Sequence, residues 1–446
     1  MNKKFVPFSI LLLAAIHLAG CGSDPGFNES TDFAVDEGSV QFVNLMGDSP
    51  NLTIIHGLSR TSVRFPFTSP VELRAADEYE WEIVYLNDPD EFNAESQIVV
   101  AEGGEQIIKK DSLSTFLLMG NIAQPNIQIV DHDVLPQAGR PEEEAKLWFA
   151  NNAKNFSMVD VFVTAQGEDL ENMTPLVTLN SGAFSDLIPV AAGLDQQIRV
   201  KAADSGQLIF DSGPIELPNK SNELFAIVDD FGPNQADHVN VIRTLSAAQT
   251  VIVDTSQTAR ARIANFSQFE SLSASLNLVQ FDEVSRLSFS DYSDIANGNA
   301  ELAVRDEEIV LEESSQPGFD GNFKTVYIFS DEGDERNQTT KSLGIVDDRR
   351  SVIDRAIFSF ANGGNDIIDL YAVEPGGGID DQRPLLNDFG FGASGTLEVL
   401  ARPSDLVVAN QNSSETLGVV SVNFIPGKTF TVIFEGPGNL TLKESP

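Results

Sequence analysis

The chain has 446 residues, 67 of them acidic against 28 basic, which sets a formal net charge of −39. That charge excludes nucleic acid as a partner, because phosphate binding needs clusters of Lys and Arg, and it argues against electrostatic adhesion to anionic lipid. The hydrophobic fraction of 41% is enough to build cores, while the single Cys permits neither an internal disulfide nor a thiolate zinc site.

The first 21 residues read as a secretory signal. Lys3 and Lys4 form a positive n-region, and Phe5 to Ile16 form an apolar stretch too short to span a bilayer as a helix. Leu18-Ala19-Gly20-Cys21 then resembles the bacterial lipobox. That resemblance implies lipid transfer to the Cys21 thiol, cleavage before it and acylation of the new N-terminus. A buried methylene is worth about 0.8 kcal/mol, so one acyl chain holds weakly and several hold firmly. Gly22 stands where inner-membrane lipoproteins commonly carry Asp, which by the same resemblance favours the outer membrane. Residues 21–37 are polar and acidic and read as a lipidated flexible tether with a span of about 20–25 Å.

The rest of the chain repeats. VQFVN (40–44), LWFAN (147–151), ARIANF (261–266) and FSFAN (358–362) are four similar apolar strands. They carry Asn44, Asn151, Asn265 and Asn362, which lie 97 to 114 residues apart. Second strands are expected at NLTIIH (51–56), MVDVFV (158–163), ASLNLV (274–279) and IIDLYA (367–372). These place Thr53, Asp160, Asn277 and Asp369 in corresponding positions. Middle strands are expected at YEWEIVYL (79–86), QQIRVKAA (196–203), NAELAVRD (299–306) and GTLEVLAR (395–402). Late strands are expected at STFLLMG (114–120), NELFAIVDD (222–230), KTVYIFSDE (324–332) and KTFTVIFEG (428–436). No long segment has helical periodicity. Short strands separated by Gly, Pro, Asn and Asp predict an all-β chain of four tandem Ig-like antiparallel β-sandwich domains over 38–135, 145–245, 258–348 and 353–446. VIV within 246–258 is either linker or a strand of a neighbouring unit. Gly-rich runs at 103–104, 363–364 and 376–378 read as hairpin turns.

MVDVFVTAQG (158–167), IIDLYAVEPG (367–376) and NELFAIVDDFG (222–232) resemble the bacterial domain of unknown function 4397. The family's opening-strand His is Asn in all four copies. The resemblance implies a secreted Ig-like sandwich, and it implies no activity, cofactor or catalytic residue.

Catalytic constellations are thin. His56, His132 and His238 survive processing, and surface or edge positions are expected for them; no nucleophile elbow or zinc-protease helix is present. Carboxylate pairs are inevitable among so many acids, so none singles out a glycosidase. Asp229-Asp230, the cluster Asp331 to Glu335, Asp347-Asp348 and Asp380-Asp381 sit at expected strand ends and are read as solvated charge ahead of calcium sites. Trp81 and Trp148 are read as core residues ahead of a sugar platform. The sequence therefore predicts no catalytic residue, no metal and no cofactor. It predicts a non-enzymatic lipoprotein anchored through Cys21 in the outer membrane, facing the periplasm or the cell surface. Its expected role is adhesion, envelope assembly or binding of an envelope protein or glycan. An envelope carbohydrate-binding protein or hydrolase and a passive structural spacer are the alternatives.

Overall fold

Every unit of the chain, in the computed structural model, is built from two packed sheets, and no helix occurs among the described residues. Those are residues 36–445 apart from 88–95, 134–140, 142, 233–235, 245–248, 308, 331–339 and 381. The expected signal peptide, Cys21 and most of the tether lie outside them. From Asp36 onward the chain forms a single compact unit, made of four tandem β-sandwiches, referred to below as units 1 to 4.

One strand order recurs in all four. Counting strands along each unit, with the two short strands Ser288–Phe289 and Ser293–Ile295 of unit 3 taken together as its fourth, one sheet runs fourth-first-seventh-eighth and the other third-second-fifth-sixth. The first strands are Glu37–Asn44, Glu144–Asn152, Ala259–Phe266 and Arg355–Asn362. The seventh strands are Ser112–Asn121, Asn222–Asp229, Phe323–Ser330 and Thr429–Gly436. Each first strand pairs in parallel with its seventh, for example Phe42 opposite Phe116 and Phe360 opposite Val432. The expected purely antiparallel sandwich therefore has one parallel pair in each unit. Such a pair needs a crossover between its strands, and here strands two to six supply it.

The buried asparagines explain why each first strand stops where it does. Asn44, Asn151, Asn265 and Asn362 are fully buried. Each Oδ1 accepts the backbone N–H two residues on, at Met46, Ala153, Ser267 and Gly364 respectively. This local turn competes with the ladder and ends the strand. In units 2, 3 and 4 the Nδ2 donates to a third-strand carbonyl, at Leu179, Val284 and Phe389. In unit 1 it donates to Ser49 Oγ. One amide thus ends a strand and ties two sheets together.

The strand Asp has a similar structural task. Asp160 accepts from Thr178 Oγ at 2.6 Å, and Asp369 accepts from the Asp388 N–H at 3.0 Å. Both partners are on the third strand, an edge strand held by that bond. In unit 3 the expected equivalence fails. Asn277 is a turn residue with φ 53°, between Ser271–Leu276 and Val279–Ser285, so ASLNLV straddles a hairpin. Ser273, between buried Leu272 and Ala274, occupies the strand position. GTLEVLAR is likewise displaced. It contains the fourth strand of unit 4, Ser394–Leu400, paired with the first; the fifth strand is Pro403–Asn410. Fourth strands of the other units are four residues or shorter, so an alternating run of this length looked like the fifth.

Two glycine runs also differ from expectation. Gly103 and Gly104 lie inside the strand Gln97–Ile107, where Gly103 leaves room for the Trp81 indole, which a Cβ would strike. Gly363-Gly364 bridges two sheets, because the first and second strands of unit 4 belong to different ones. The VIV segment supplies a ninth strand, Gln249–Ile252, which extends the first sheet of unit 2 beside Val239–Thr244.

First and seventh strands are buried on both faces. Their inward residues fill the cores: Val40, Phe42 and Phe116 in unit 1, Phe149 and Phe225 in unit 2. Their outward residues meet the next unit. Val43, Leu117 and Met119 of unit 1 pack on Trp148, Leu224 and Ala226 of unit 2. Ala264, Tyr327 and Phe329 of unit 3 pack on Ala361 and Ile433 of unit 4. Units 1 and 2 therefore join face to face, and so do units 3 and 4. Trp148 is buried as expected, but in this inter-unit cluster and outside any unit's own core.

The two pairs then meet, and the four units touch in a closed cycle. Unit 1 meets unit 4 and its linker through Asn51 N–H to Glu398 Oε2 (3.1 Å), Tyr85 OH to Asp354 Oδ2 (3.1 Å) and Ile353 N–H to Asp48 O (3.0 Å). Units 2 and 3 touch backbone to backbone, where a Cβ on Gly232 would collide with the Gly321 carbonyl oxygen.

Candidate functional site

The closed cycle leaves a cleft of about 1200 Å³ between the units, and all four contribute to its wall. Unit 1 gives the segment Arg64 to Phe67 after its third strand, together with Asn51 and Thr53. Unit 2 gives Asp230 to Gly232, where its seventh strand ends, and Val251 and Val253 near its added strand. Unit 3 gives the turn Asp320 to Phe323 and the eighth-strand residues Gly344 to Val346. The linker Asp347 to Arg350 and the fourth strand of unit 4, through Glu398, close the last side.

Arg350 ties the wall together. Its residue is 8% exposed. Nε donates to both Asp348 oxygens at 3.0 Å, and Nη2 donates to Asp348 Oδ2 at 2.8 Å and Glu398 Oε1 at 3.0 Å. The guanidinium lies 5.2 Å from the Phe65 ring centroid. Burial opposes the charge, but the two carboxylates outweigh it and raise the Arg350 pKa. One residue thereby links the unit 3–4 linker, unit 4 and unit 1.

Nearby, Tyr292 OH and Thr325 Oγ both donate to Asp347 Oδ2 at 2.7 Å. Burial first, then Asp347, pushes the Tyr292 phenol up to about 12. Asp230 is buried in the unit 2 wall. Oδ1 accepts from the Gly232 N–H (2.8 Å) and Asn240 Nδ2 (3.0 Å), while Oδ2 has no partner among the described residues. Burial raises its pKa despite those hydrogen bonds.

Surface or edge positions were expected for the histidines; His132 lies on the edge strand Gln124–Asp133, whereas His56 is in a core. His56 is 1% exposed and stacks on Tyr79 with ring centroids 4.8 Å apart. Neither ring nitrogen has a hydrogen-bond partner among the described residues. Burial, and then the charge of Arg74, lowers its pKa to about 4. His132 tilts against Trp148 at 4.8 Å. His238 Nδ1 meets Asp254 Oδ2 at 3.1 Å, a bond that raises the His238 pKa against its partial burial. Burial alone would raise the Asp254 pKa, but bonds from His238, Ser256 and Gln257 outweigh it and lower it. Among the described residues no serine, threonine or cysteine hydroxyl or thiol bonds the His56 or His238 ring.

The acidic pairs also have structural partners. Asp229 Oδ1 accepts from the Lys154 and Asn155 N–H groups at 2.7 and 3.2 Å, while Asp347 and Asp348 bond as above. The cluster 331–335 and Asp381 lie outside the described residues. Among the described residues no group of three or more His, Cys, Asp or Glu is arranged to hold a metal ion, and no helix is long and apolar enough to cross a membrane. Trp81 packs edge-on against Phe116 at 5.8 Å, with Glu80, Glu82 and Glu102 around a shallow open hollow.

The shared cleft was not foreseen. The sequence holds only an indirect trace of it, the near-continuous apolar runs of the first and seventh strands, whose two-faced burial requires partners beyond each sandwich. No protein-family model and no curated protein matches the sequence.

Proposed function

We propose that the chain is a lipid-anchored outer-membrane protein of the cell envelope that binds a partner protein in the cleft between its four sandwich units, without catalysing a reaction. The carrying observation is that every unit supplies part of the wall of one cleft of about 1200 Å³. That volume exceeds the roughly 300–1000 Å³ common for small-molecule sites and suits a segment of another chain. The anchoring half of the proposal rests on the lipobox-like Leu18 to Cys21. The resemblance to the domain of unknown function 4397, which implies secreted Ig-like sandwiches, agrees with an extracytoplasmic place.

A closed cycle of contacts weighs against a passive spacer, since a spacer has no use for a wall assembled from all its units. The carbohydrate reading draws on the hollow beside Trp81 with its three glutamates; loss of glycan retention in Trp81→Ala would favour it.

Photo-crosslinking in living cells tests the main reading. A tagged full chain carries the crosslinking residue at Thr396, in the cleft, or at Leu278, at an exposed hairpin tip. One envelope protein captured from position 396 and not from 278 supports the proposal. Equal capture from both positions, or none, overturns it. Separately, Cys21→Ala should release the protein into a soluble extracytoplasmic fraction; persistence with the membrane would remove the anchor.

A further inference from the structure

We infer that Arg64 and Arg349 form a carboxylate subsite in the cleft, and that the segment it receives is an acidic stretch of the partner polypeptide. The inference deepens the binding reading above and rests on it.

The cleft is unusual in this molecule for its cations. Four of the chain's 28 basic residues line it, against five of its 67 acids, and all four are arginines. Arg350 is engaged by Asp348 and Glu398. Arg355 donates to the Leu86 and Asp354 carbonyls. The other two have no such partners. Arg64 is exposed and lies 4.2 Å from the Phe67 ring centroid. Arg349 lies 3.8 Å from the Phe323 centroid and 5.1 Å from that of Tyr292. Neither guanidinium makes a hydrogen bond or ion pair to a described residue. A guanidinium on an aromatic face keeps its in-plane N–H donors free for a planar, bidentate acceptor such as a carboxylate.

The acids of the wall do not cancel them. Asp347, Asp348 and Glu398 already accept bonds from neighbouring side chains. Burial raises the pKa values of Asp230 and Asp320. The two guanidiniums that no described residue engages come one from unit 1 and one from the unit 3–4 linker. Two separate anchors suit an extended ligand bearing more than one carboxylate.

A peptide fits better than an acidic sugar chain. Sugars are gripped through stacking of their apolar ring faces on free aromatic faces. Here Phe65, Phe67 and Phe323 each already carry a guanidinium over one face, and the fourth ring, Phe231, sits edge-on to Phe65 at 5.5 Å.

Fluorescence anisotropy on the purified full chain tests this with a labelled alternating Asp-Gly decapeptide, its Asn-Gly counterpart and an oligogalacturonate. The Asp peptide should bind and the Asn peptide should not. Arg64→Gln and Arg349→Gln should each weaken binding about tenfold or more, the scale of one charge-assisted hydrogen-bonded contact. Lys443→Gln, a charge-matched change outside the cleft, should leave it unaltered. Unchanged affinity in the double arginine variant, or equal binding of both peptides, would overturn the subsite. Arginine-dependent binding of the galacturonate without the peptide would overturn the peptide assignment. If the Thr396 crosslink still captures its partner while the Asp peptide fails to bind, the subsite falls and the cleft reading stands.

Discussion

Asn152 of unit 2 donates from Nδ2 to the Leu45 carbonyl of unit 1 at 2.6 Å, across the boundary between the two sandwiches. Its Oδ1 accepts from the Gly120 N–H of unit 1, also at 2.6 Å. The amide is buried beside the apolar cluster around Trp148. Asn152→Leu should cost about 2–4 kcal/mol, since each backbone group left unpaired in a buried setting costs about 1–3 kcal/mol. Urea unfolding followed by tryptophan emission would measure it. A loss below about 0.5 kcal/mol would mean that the amide is not needed at this boundary.

The repeated asparagine gives a second prediction. Asn265 holds the Ser267 N–H with Oδ1 and the Val284 and Phe269 carbonyls with Nδ2 (2.9 and 3.2 Å). Asn265→Ala orphans these groups and should cost about 2–4 kcal/mol. Asn265→Asp should be worse at neutral pH, because it points a buried carboxylate at two carbonyl oxygens. Its deficit should shrink in acid, where the carboxyl gains a proton it can donate. Equal stability of the two variants across pH would refute the donor role.

These two residues show what the sequence reveals and what it hides. The recurrence of Asn44, Asn151, Asn265 and Asn362 was visible, because a fixed polar residue closing an apolar strand interrupts an obvious pattern. Its cause was not, since the Nδ2 partners lie from 4 to 28 residues away, in turns and on third strands. A second recurring device went unseen. Ser69, Ser185 and Ser290 each accept the N–H of a first-strand residue, Phe42, Phe149 and Ile263. Serines are too common for three of them to stand out. The all-β sandwich class was legible from alternation and turn residues. The parallel first and seventh strands were not, because periodicity is blind to strand direction. Nor was the cleft: Val43 and Phe42 look alike in sequence, yet one faces unit 2 and the other the core of unit 1.

The histidines predict opposite pH dependences. The unfolded chain protonates His56 near pH 6.5, whereas the folded chain does so only near pH 4. Between those values the unfolded state binds more protons, so stability present above pH 6.5 is lost as the pH falls toward 4. The loss is on the order of 3 kcal/mol. His56→Phe keeps the stack on Tyr79 and should flatten this part of the profile. His238 has a raised folded pKa, so its contribution is full below pH 6.5 and is lost as the pH rises through the folded value. His238→Gln should remove that loss on the alkaline side. Urea midpoints of the three proteins from pH 4 to 8 would separate the two effects. Parallel profiles for wild type and His56→Phe would show that His56 is not held neutral.

The last prediction concerns the wall of the cleft. Arg350 is the shared partner of Asp348 and Glu398, and Glu398 also accepts the Asn51 N–H of unit 1. Arg350→Met keeps much of the side-chain length over Phe65 but leaves two carboxylates facing each other without their cation. Removing one partner of a buried ion pair typically costs about 3–5 kcal/mol; here the carboxylates are part-exposed, at 27% and 19%, so about 2–3 kcal/mol is expected. The loss should be local first, loosening the unit 3–4 linker from unit 1 before any sandwich unfolds. Limited proteolysis should therefore show faster cleavage near residues 347–354, together with a lowered melting temperature. Arg350→Met combined with Glu398→Gln should recover part of the loss, since the second change removes one of the unpaired charges. If the double variant is no better than the single, the carboxylates do not depend on Arg350, and the linker must be held by the Asp48 carbonyl and the Tyr85 hydroxyl instead.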